Sequence, residues 1–189
     1  MPDRSNKPAL LIMDVQNGIV SRFAEKEKPL HPFVKAAEAA RQHNIPVIFV
    51  RVAFRDGYPE VSPLNKAFSA ISGYGGMTVA DTATQIHESL NHQPNEPVVT
   101  KLRVSAFAGS DLEVILRSRQ IDTLILSGIS TSGVVLSTLR QAADMDFALT
   151  VLSDACLDPD PDVQRVLMEK VFPRQAEVVT VDAWINTIS

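Results

Sequence analysis

Short, almost uninterrupted runs of apolar residues are spaced along the chain and constrain its fold more than any other feature. The runs are Ala9–Met13, Val47–Val52, Val98–Thr100, Thr123–Leu126, Ala148–Leu152 and Val178–Val181. They are rich in Val, Ile and Leu and do not alternate apolar with polar residues, which is typical of parallel strands buried on both faces. Because amphipathic stretches separate most of them, we predict an open, doubly wound α/β sheet with helices on both faces.

Helical patterns fill most of the intervals between these runs. The predicted helices cover Pro32–Asn44, Ser110 to about Gln120, Thr131–Asp146, Asp162–Phe172 and Asp182–Ile188. Ser110 and Glu113 have the spacing of a capping box. Residues 53–95 are the exception, an irregular insertion in which we predict a surface helix over Thr82–Asn91; such an insertion usually carries function rather than packing. We predict one domain over residues 1–189 with this insertion after the second strand.

Charge and cysteine content exclude several classes of protein. The 189 residues carry 18 basic and 22 acidic side chains without a long basic run, so we expect neither nucleic acid nor a membrane surface as a partner. The single cysteine, Cys156, excludes an internal disulfide framework and a zinc site built from several cysteines. No apolar span reaches the ~20 residues of a transmembrane helix, and no secretory signal is recognisable. We therefore expect a cytoplasmic protein.

Polar residues follow several of the apolar runs, at the edge where open α/β sheets bind ligands. Asp14, Lys101 and the segment Ser127–Gly133 come directly after three of them, and Asp154 follows the fifth. If these strands are parallel neighbours, Asp14, Lys101 and the Ser127–Gly133 segment meet at one rim. Each also fits a plain structural role as a rim residue or helix cap, and the Gly/Ser/Thr segment fits either a cap or an anion site. Neither a Walker pattern nor G-x-G-x-x-G after the first strand is present, which argues against nucleotide binding.

The chain resembles the isochorismatase-like superfamily, the cysteine hydrolases. The resemblance lies in LLIMDVQNGI, VVTKLRVSAFAGSDLE, LILSGISTSGVVLSTLRQAADMDF and LTVLSDAC, in that order. These segments contain D-x-Q-N after the first strand, K-x-R-x-S-A-F-x-G, and a G-[IV]-x-T loop followed by T-x-R-x-A on its helix. The resemblance covers nearly the whole chain. It implies a Rossmann-like, three-layer fold with a six-stranded parallel sheet, a small-molecule substrate hydrolysed at an amide or ether bond, and a homodimer or homotetramer.

The catalytic residues that the resemblance implies are Asp14 and Lys101, which match the family's aspartate and lysine. Val134 stands where many members carry the nucleophilic cysteine. A covalent acyl-enzyme needs an activated nucleophile, so cysteine catalysis is not expected here. Ser132 and Ser137 flank that position, but either would need a changed backbone to reach it. We interpret Cys156, the only thiol, as a small buried hydrophobe.

The resemblance also implies the groups that bind substrate. A cis peptide bond between Ile129 and Ser130 would direct amide N–H groups, from Ile129 to Gly133, at a substrate oxygen as an oxyanion hole. Phe107 of the shared second segment and Arg51 of the second strand complete the predicted substrate-binding set. For Arg51 a guanidinium suits carboxylate recognition, but a plain surface role is equally compatible. The histidines of the family's metal-binding branch are absent from RVAFRDGYPEVSP, so no metal and no cofactor are implied.

Two functions remain open without the cysteine. One is a hydrolase in which Asp14 is the acid and base and Lys101 sets its charge. The other is a catalytically silent member of the same fold that binds a metabolite or a partner. By resemblance, the isochorismatases proper also lack this cysteine and work through the aspartate. They carry a glycine where this chain has Val134, so isochorismate itself does not follow as the substrate.

Overall fold

A six-stranded, all-parallel sheet forms the centre of the computed structural model, which describes residues 7–22 and 30–188. The strands are β1 (Pro8–Met13), β2 (Val47–Val52), β3 (Val98–Lys101), β4 (Thr123–Ile129), β5 (Ala148–Leu157) and β6 (Glu177–Val179). Their order across the sheet is β3-β2-β1-β4-β5-β6, and every pairing is parallel. The chain reverses its direction of travel at β1, so β1 and β4 border the switch point where open sheets form their crevice.

Helices cover both faces of this sheet. The helices of the described chain are α1 (Asn17–Val20), α2 (His31–Gln42), α3 (Ile71–Tyr74), α4 (Leu112–Ser118), α5 (Leu136–Asp144), α6 (Pro161–Val166) and α7 (Val181–Ile188). A π-helical turn, Thr131–Val135, leads into α5, and a second, Leu167–Val171, continues α6. The predicted doubly wound fold is therefore confirmed. In the part of the chain that the structure describes, no helix combines the length and apolar character needed to cross a bilayer.

Alternate residues of the central strand feed two separate cores. Leu11 of β1 packs in one apolar cluster with Leu116 of α4 and other side chains on that face. Its neighbour Ile12 packs in the opposite cluster with Phe33 of α2 and other side chains there. Because successive side chains of a strand point to opposite faces, a strand with helices on both sides is apolar at every position. This is the physical basis of the uninterrupted apolar runs.

The prediction of a surface helix over Thr82–Asn91 is wrong. Only two 3-10 turns form there, Thr82–Thr84 and Glu88–Leu90. The backbone between them pairs instead with the segment after β1: Gln85 O accepts from Asn17 N at 3.0 Å, and His87 N donates to Val15 O at 2.9 Å. Backbone groups used in this pairing are not available for helical hydrogen bonds.

The predicted capping box at Ser110 is also wrong. Helix α4 begins at Leu112 after Asp111, and Ser110 Oγ accepts from Leu112 N at 3.3 Å while donating to Ala106 O. Glu113 does not reach back to the cap; it pairs along the helix with Arg117 at 3.7 Å. The helix also ends at Ser118, before the predicted Gln120.

Candidate active site

Asp14 and Lys101 meet at the carboxyl edge of the sheet although β2 lies between their strands. Asp14 directly follows β1 with a left-handed backbone (φ 58°), and its N–H donates to Val50 O of β2 at 2.8 Å. Lys101 ends β3, and its Nζ lies 3.0 Å from Asp14 Oδ2 and 2.9 Å from Arg103 O. The two side chains are almost fully buried, so they form an internal ion pair rather than a solvated rim pair.

Burial dominates the electrostatics of this pair. Loss of hydration raises the pKa of Asp14 from 3.8 to about 6, although the charge and hydrogen bond of Lys101 act in the opposite direction. Within the described residues, Asp14 Oδ1 is buried without a hydrogen-bond partner. The carboxyl group therefore has one oxygen held by Lys101 and one oxygen free to exchange a proton near neutral pH.

A cavity of about 510 Å³ opens over this carboxyl group. Its polar side chains come from Asp14, Arg22, Lys101 and Ser130. The other described residues of the lining are Ile19, Val52, Phe68, Val104, Ile129, Gly133, Val134 and Pro159. The structure thus brings together six of the residues predicted from sequence: Asp14, Lys101, Ile129, Ser130, Gly133 and Val134. A volume of this size suits a small organic molecule.

The wall of the cavity has no nucleophile at the position of the family's cysteine. Val134 lies in the π-helical turn before α5, is 2% exposed and contributes its isopropyl group to the cavity. Ser132 and Ser137 do not line the cavity. Cys156 lies within β5, where burial raises the pKa of its thiol to about 12. A thiol that stays protonated is a poor nucleophile.

The loop between β4 and α5 contains the expected cis peptide bond, Ile129–Ser130, but two of its N–H groups are already engaged. Ser132 N donates to Asp158 Oδ2 at 2.8 Å, and Gly133 N donates to Ser130 O at 3.2 Å. These two amides are therefore not free to bind a substrate oxygen. Gly133 matters for another reason: a Cβ there would lie 2.7 Å from Ser130 Oγ. Its missing side chain leaves room for the Ser130 hydroxyl.

Phe107 and Arg51 lie outside the cavity lining. Phe107 is buried in the core beside Phe147, with ring centroids 6.2 Å apart. Arg51 precedes the cavity residue Val52 on β2 and therefore points to the other face of the sheet. Its guanidinium donates to Thr100 Oγ1 at 3.1 Å and to a glutamine of the insertion at 3.0 Å, so it tethers the insertion to the sheet.

Two further polar residues lie in this region, and the sequence patterns above predict no role for either of them. Gln16, in the D-x-Q-N motif, is buried: its Nε2 donates to Val52 O at 3.0 Å and Thr84 O at 2.9 Å, and its Oε1 accepts from Val52 N at 2.9 Å. It joins the end of β2 to the insertion. The D-x-Q-N motif is the sequence feature that could have identified this residue. Arg22 follows α1 and lines the cavity, but no pattern marks it. Within residues 7–22 and 30–188, no three or more His, Cys, Asp or Glu side chains are grouped to hold a metal ion.

Comparison with known proteins matches most of the chain to one family. Residues 8–183 match the family described as "Isochorismatase domain". An uncharacterized isochorismatase family protein of Bacillus subtilis, YwoC, is 31% identical over 182 residues, covering 96% of this chain and 94% of that protein. The ureidoacrylate amidohydrolase RutB of Pseudomonas savastanoi is 28% identical over 208 residues, covering 98% of this chain and 81% of that protein.

Solved structures agree with this match. An isochorismatase family protein from Burkholderia thailandensis superposes with a TM-score of 0.86 at 28% identity. The superposition covers 100% of this chain and 98% of that one. The similarity therefore extends over the whole fold.

Proposed function

This chain belongs to the isochorismatase family, and we propose that it is a hydrolase in which Asp14 transfers the proton without a cysteine nucleophile. The observation that carries this proposal is the free Oδ1 of Asp14. That oxygen is buried at the cavity and unpaired among the described residues, while burial raises the pKa of its carboxyl to about 6. A general acid or base is most effective when its pKa lies near the working pH.

The ionised form of Asp14 fits amide hydrolysis. Its Oδ1 takes a proton from a water molecule as the water oxygen bonds to the carbonyl carbon. The carboxyl group then returns that proton to the nitrogen as the C–N bond breaks, giving an acid and an amine. Lys101, 3.0 Å from Oδ2, keeps the carboxylate charged between turnovers. The relative RutB is named as an amidohydrolase, which makes amides and ureides the first substrates to test.

The protonated form of Asp14 fits cleavage of an enol ether. The carboxyl group gives its proton to the terminal alkene carbon, water adds to the resulting cation, and the adduct separates into an alcohol and a carbonyl compound. The proton released by the water restores the carboxyl group. The two reactions have opposite pH profiles: the first needs Asp14 ionised and slows below pH ~6, whereas the second slows above it.

Turnover of a panel of amides, ureides and enol ethers tests the proposal. We expect wild type to hydrolyse one class and Asp14→Asn to lose about 10²- to 10⁴-fold in rate. Asp154→Asn is the matched control, since this exposed carboxyl on β5 accepts from Val181 N and has no place in the cavity. It should keep wild-type turnover. Equal rates for Asp14→Asn and wild type would remove Asp14 from the mechanism.

A second candidate, a silent binding protein, is favoured by the valine side chain at the nucleophile position. Val134 closes that point of the cavity, and an aspartate–lysine pair can also be purely structural. Val134→Cys discriminates between the two. If the proton-transfer site is intact, the new thiol should react with iodoacetamide or hydrolyse amides. Inertness of both wild type and Val134→Cys toward the whole panel, with measurable ligand binding, would support the binding protein.

A further inference from the structure

A second cavity of about 590 Å³ adjoins the candidate active site. The two cavities share Ile19, Arg22 and Val52 in their linings. The insertion supplies most of the second cavity's own wall, including Ala67, Ile71 and Met77. This wall is largely apolar, so it favours a hydrocarbon group over a charged one.

The polar groups of the second cavity are limited in what they can bind. Gln16 lines it, but both ends of its amide are already hydrogen-bonded to Val52 and Thr84. Arg22 lies at the boundary with an exposed side chain, and among the described residues it is the cation that lines both cavities. An anionic group of a ligand is therefore expected at this boundary rather than deeper in the second cavity.

Charge in the first cavity points in the same direction. Its lining contains the carboxylate of Asp14 and the cations of Lys101 and Arg22. Lys101 is neutralised by its ion pair with Asp14 at 3.0 Å. No carboxylate among the described residues pairs with Arg22, whose guanidinium can hold a ligand carboxylate through two parallel hydrogen bonds. Among the described lining residues the net charge is therefore positive, which attracts anions.

We propose that the two cavities together bind a small organic acid that carries an apolar arm. Its carboxylate binds Arg22, its apolar arm lies in the second cavity, and the bond to be hydrolysed lies beside Asp14. This substrate class rests on the proposed hydrolase function for the last of these three placements. An N-acylated amino acid with a hydrophobic side chain carries the carboxylate, the apolar arm and the acylated nitrogen on one carbon atom, its Cα.

Three matched probes separate the contributions to binding. N-acetyl-L-phenylalanine carries both the carboxylate and the arm, N-acetylglycine lacks the arm, and N-acetyl-L-phenylalanine methylamide lacks the carboxylate. Calorimetric titration of wild type should show the first bound about tenfold or more tightly than each of the others. Equal affinity for the acid and its methylamide, or no binding of the acid, would overturn the proposal.

Single substitutions assign the two subsites. Arg22→Gln should remove the preference for the acid over its methylamide, and Ala67→Phe should remove the preference for the phenylalanine probe over N-acetylglycine. Arg119→Gln, an exposed arginine that lines neither cavity, is the control and should change neither preference. Unchanged preferences in Arg22→Gln and Ala67→Phe would contradict the assignment.

Binding and turnover can fail independently. If the protein binds N-acetyl-L-phenylalanine selectively but does not hydrolyse it, the two subsites are supported and the proposed hydrolase function is contradicted for N-acylated amino acids. Hydrolysis of substrates that lack a carboxylate, at rates unaffected by Arg22→Gln, would keep the hydrolase function and overturn the organic-acid specificity.

Discussion

Substitution of Asp14 by asparagine should change the pH dependence of stability in a direction that a structural ion pair would not give. In the folded protein burial raises the pKa of Asp14 from 3.8 to about 6. The folded state therefore holds this proton more tightly than the unfolded state does. The corresponding stabilisation is complete below pH ~3.8 and is lost as the pH rises through ~6. Asparagine has no proton to lose, so Asp14→Asn lacks this dependence.

The size of the effect follows from the two pKa values. A change from 3.8 to about 6, at ~1.36 kcal/mol per pKa unit, amounts to about 3 kcal/mol. The carboxyl group is almost fully buried, so solvent screening reduces this value little. Between pH 4 and pH 8, the free energy of unfolding of wild type should fall relative to that of Asp14→Asn by about 2–3 kcal/mol. Other titrating groups are common to both proteins and largely cancel in the difference.

Urea denaturation of both proteins at pH 4, 5, 6, 7 and 8 measures this difference. We expect the wild type to lose stability relative to Asp14→Asn mainly between pH 4 and pH 6, and little beyond. A difference that stays constant, or that moves in favour of wild type as the pH rises, would contradict a raised pKa of Asp14 in the folded protein. The latter result would mean that Lys101 lowers the pKa of Asp14 below 3.8, as in an ordinary stabilising ion pair.

Three further outcomes follow from the contacts. Lys101→Met leaves the Asp14 carboxylate buried without its cation. Urea denaturation should therefore show that the free energy of unfolding falls by about 3–5 kcal/mol at pH 8 and by less at pH 5. Equal decreases at the two pH values would contradict this. Gln16→Leu removes three buried hydrogen bonds and should lower the free energy of unfolding by about 3 kcal/mol in the same assay. A decrease of less than about 1 kcal/mol would contradict this. Cys156, whose pKa burial raises to about 12, should resist iodoacetamide at pH 8 until the protein is unfolded; rapid labelling of native protein would contradict its burial.

The sheet and the meeting of Asp14 with Lys101 could be predicted because both depend on local patterns. Strands buried on two faces are apolar throughout, and the carboxyl ends of parallel strands lie at one edge. The apolar runs underestimate the length of those strands that contain polar residues. The apolar run predicts a strand that ends before Asp154, but β5 continues to Leu157, and the Asp154 carboxylate accepts from Val181 N.

The parts that the sequence did not predict depend on contacts between distant segments. The insertion forms no helix at Thr82–Asn91 because its backbone pairs with the residues after β1. Phe107 lies in the core, next to Ala106, whose N–H donates to Thr138 Oγ1 of α5 at 2.9 Å. Arg22 has no periodic neighbours, so only the cavity reveals it.

Proton transfer by Asp14 depends on its pKa in the folded protein, which a carbon-13 NMR titration of its side-chain carboxyl group measures. The resonance is assigned by its absence from the spectrum of Asp14→Asn. We predict that its chemical shift changes with a midpoint near pH 6 in the wild type. A midpoint at or below the usual 3.8 would contradict a buried proton-transferring carboxyl group and would leave Asp14 and Lys101 as a structural ion pair.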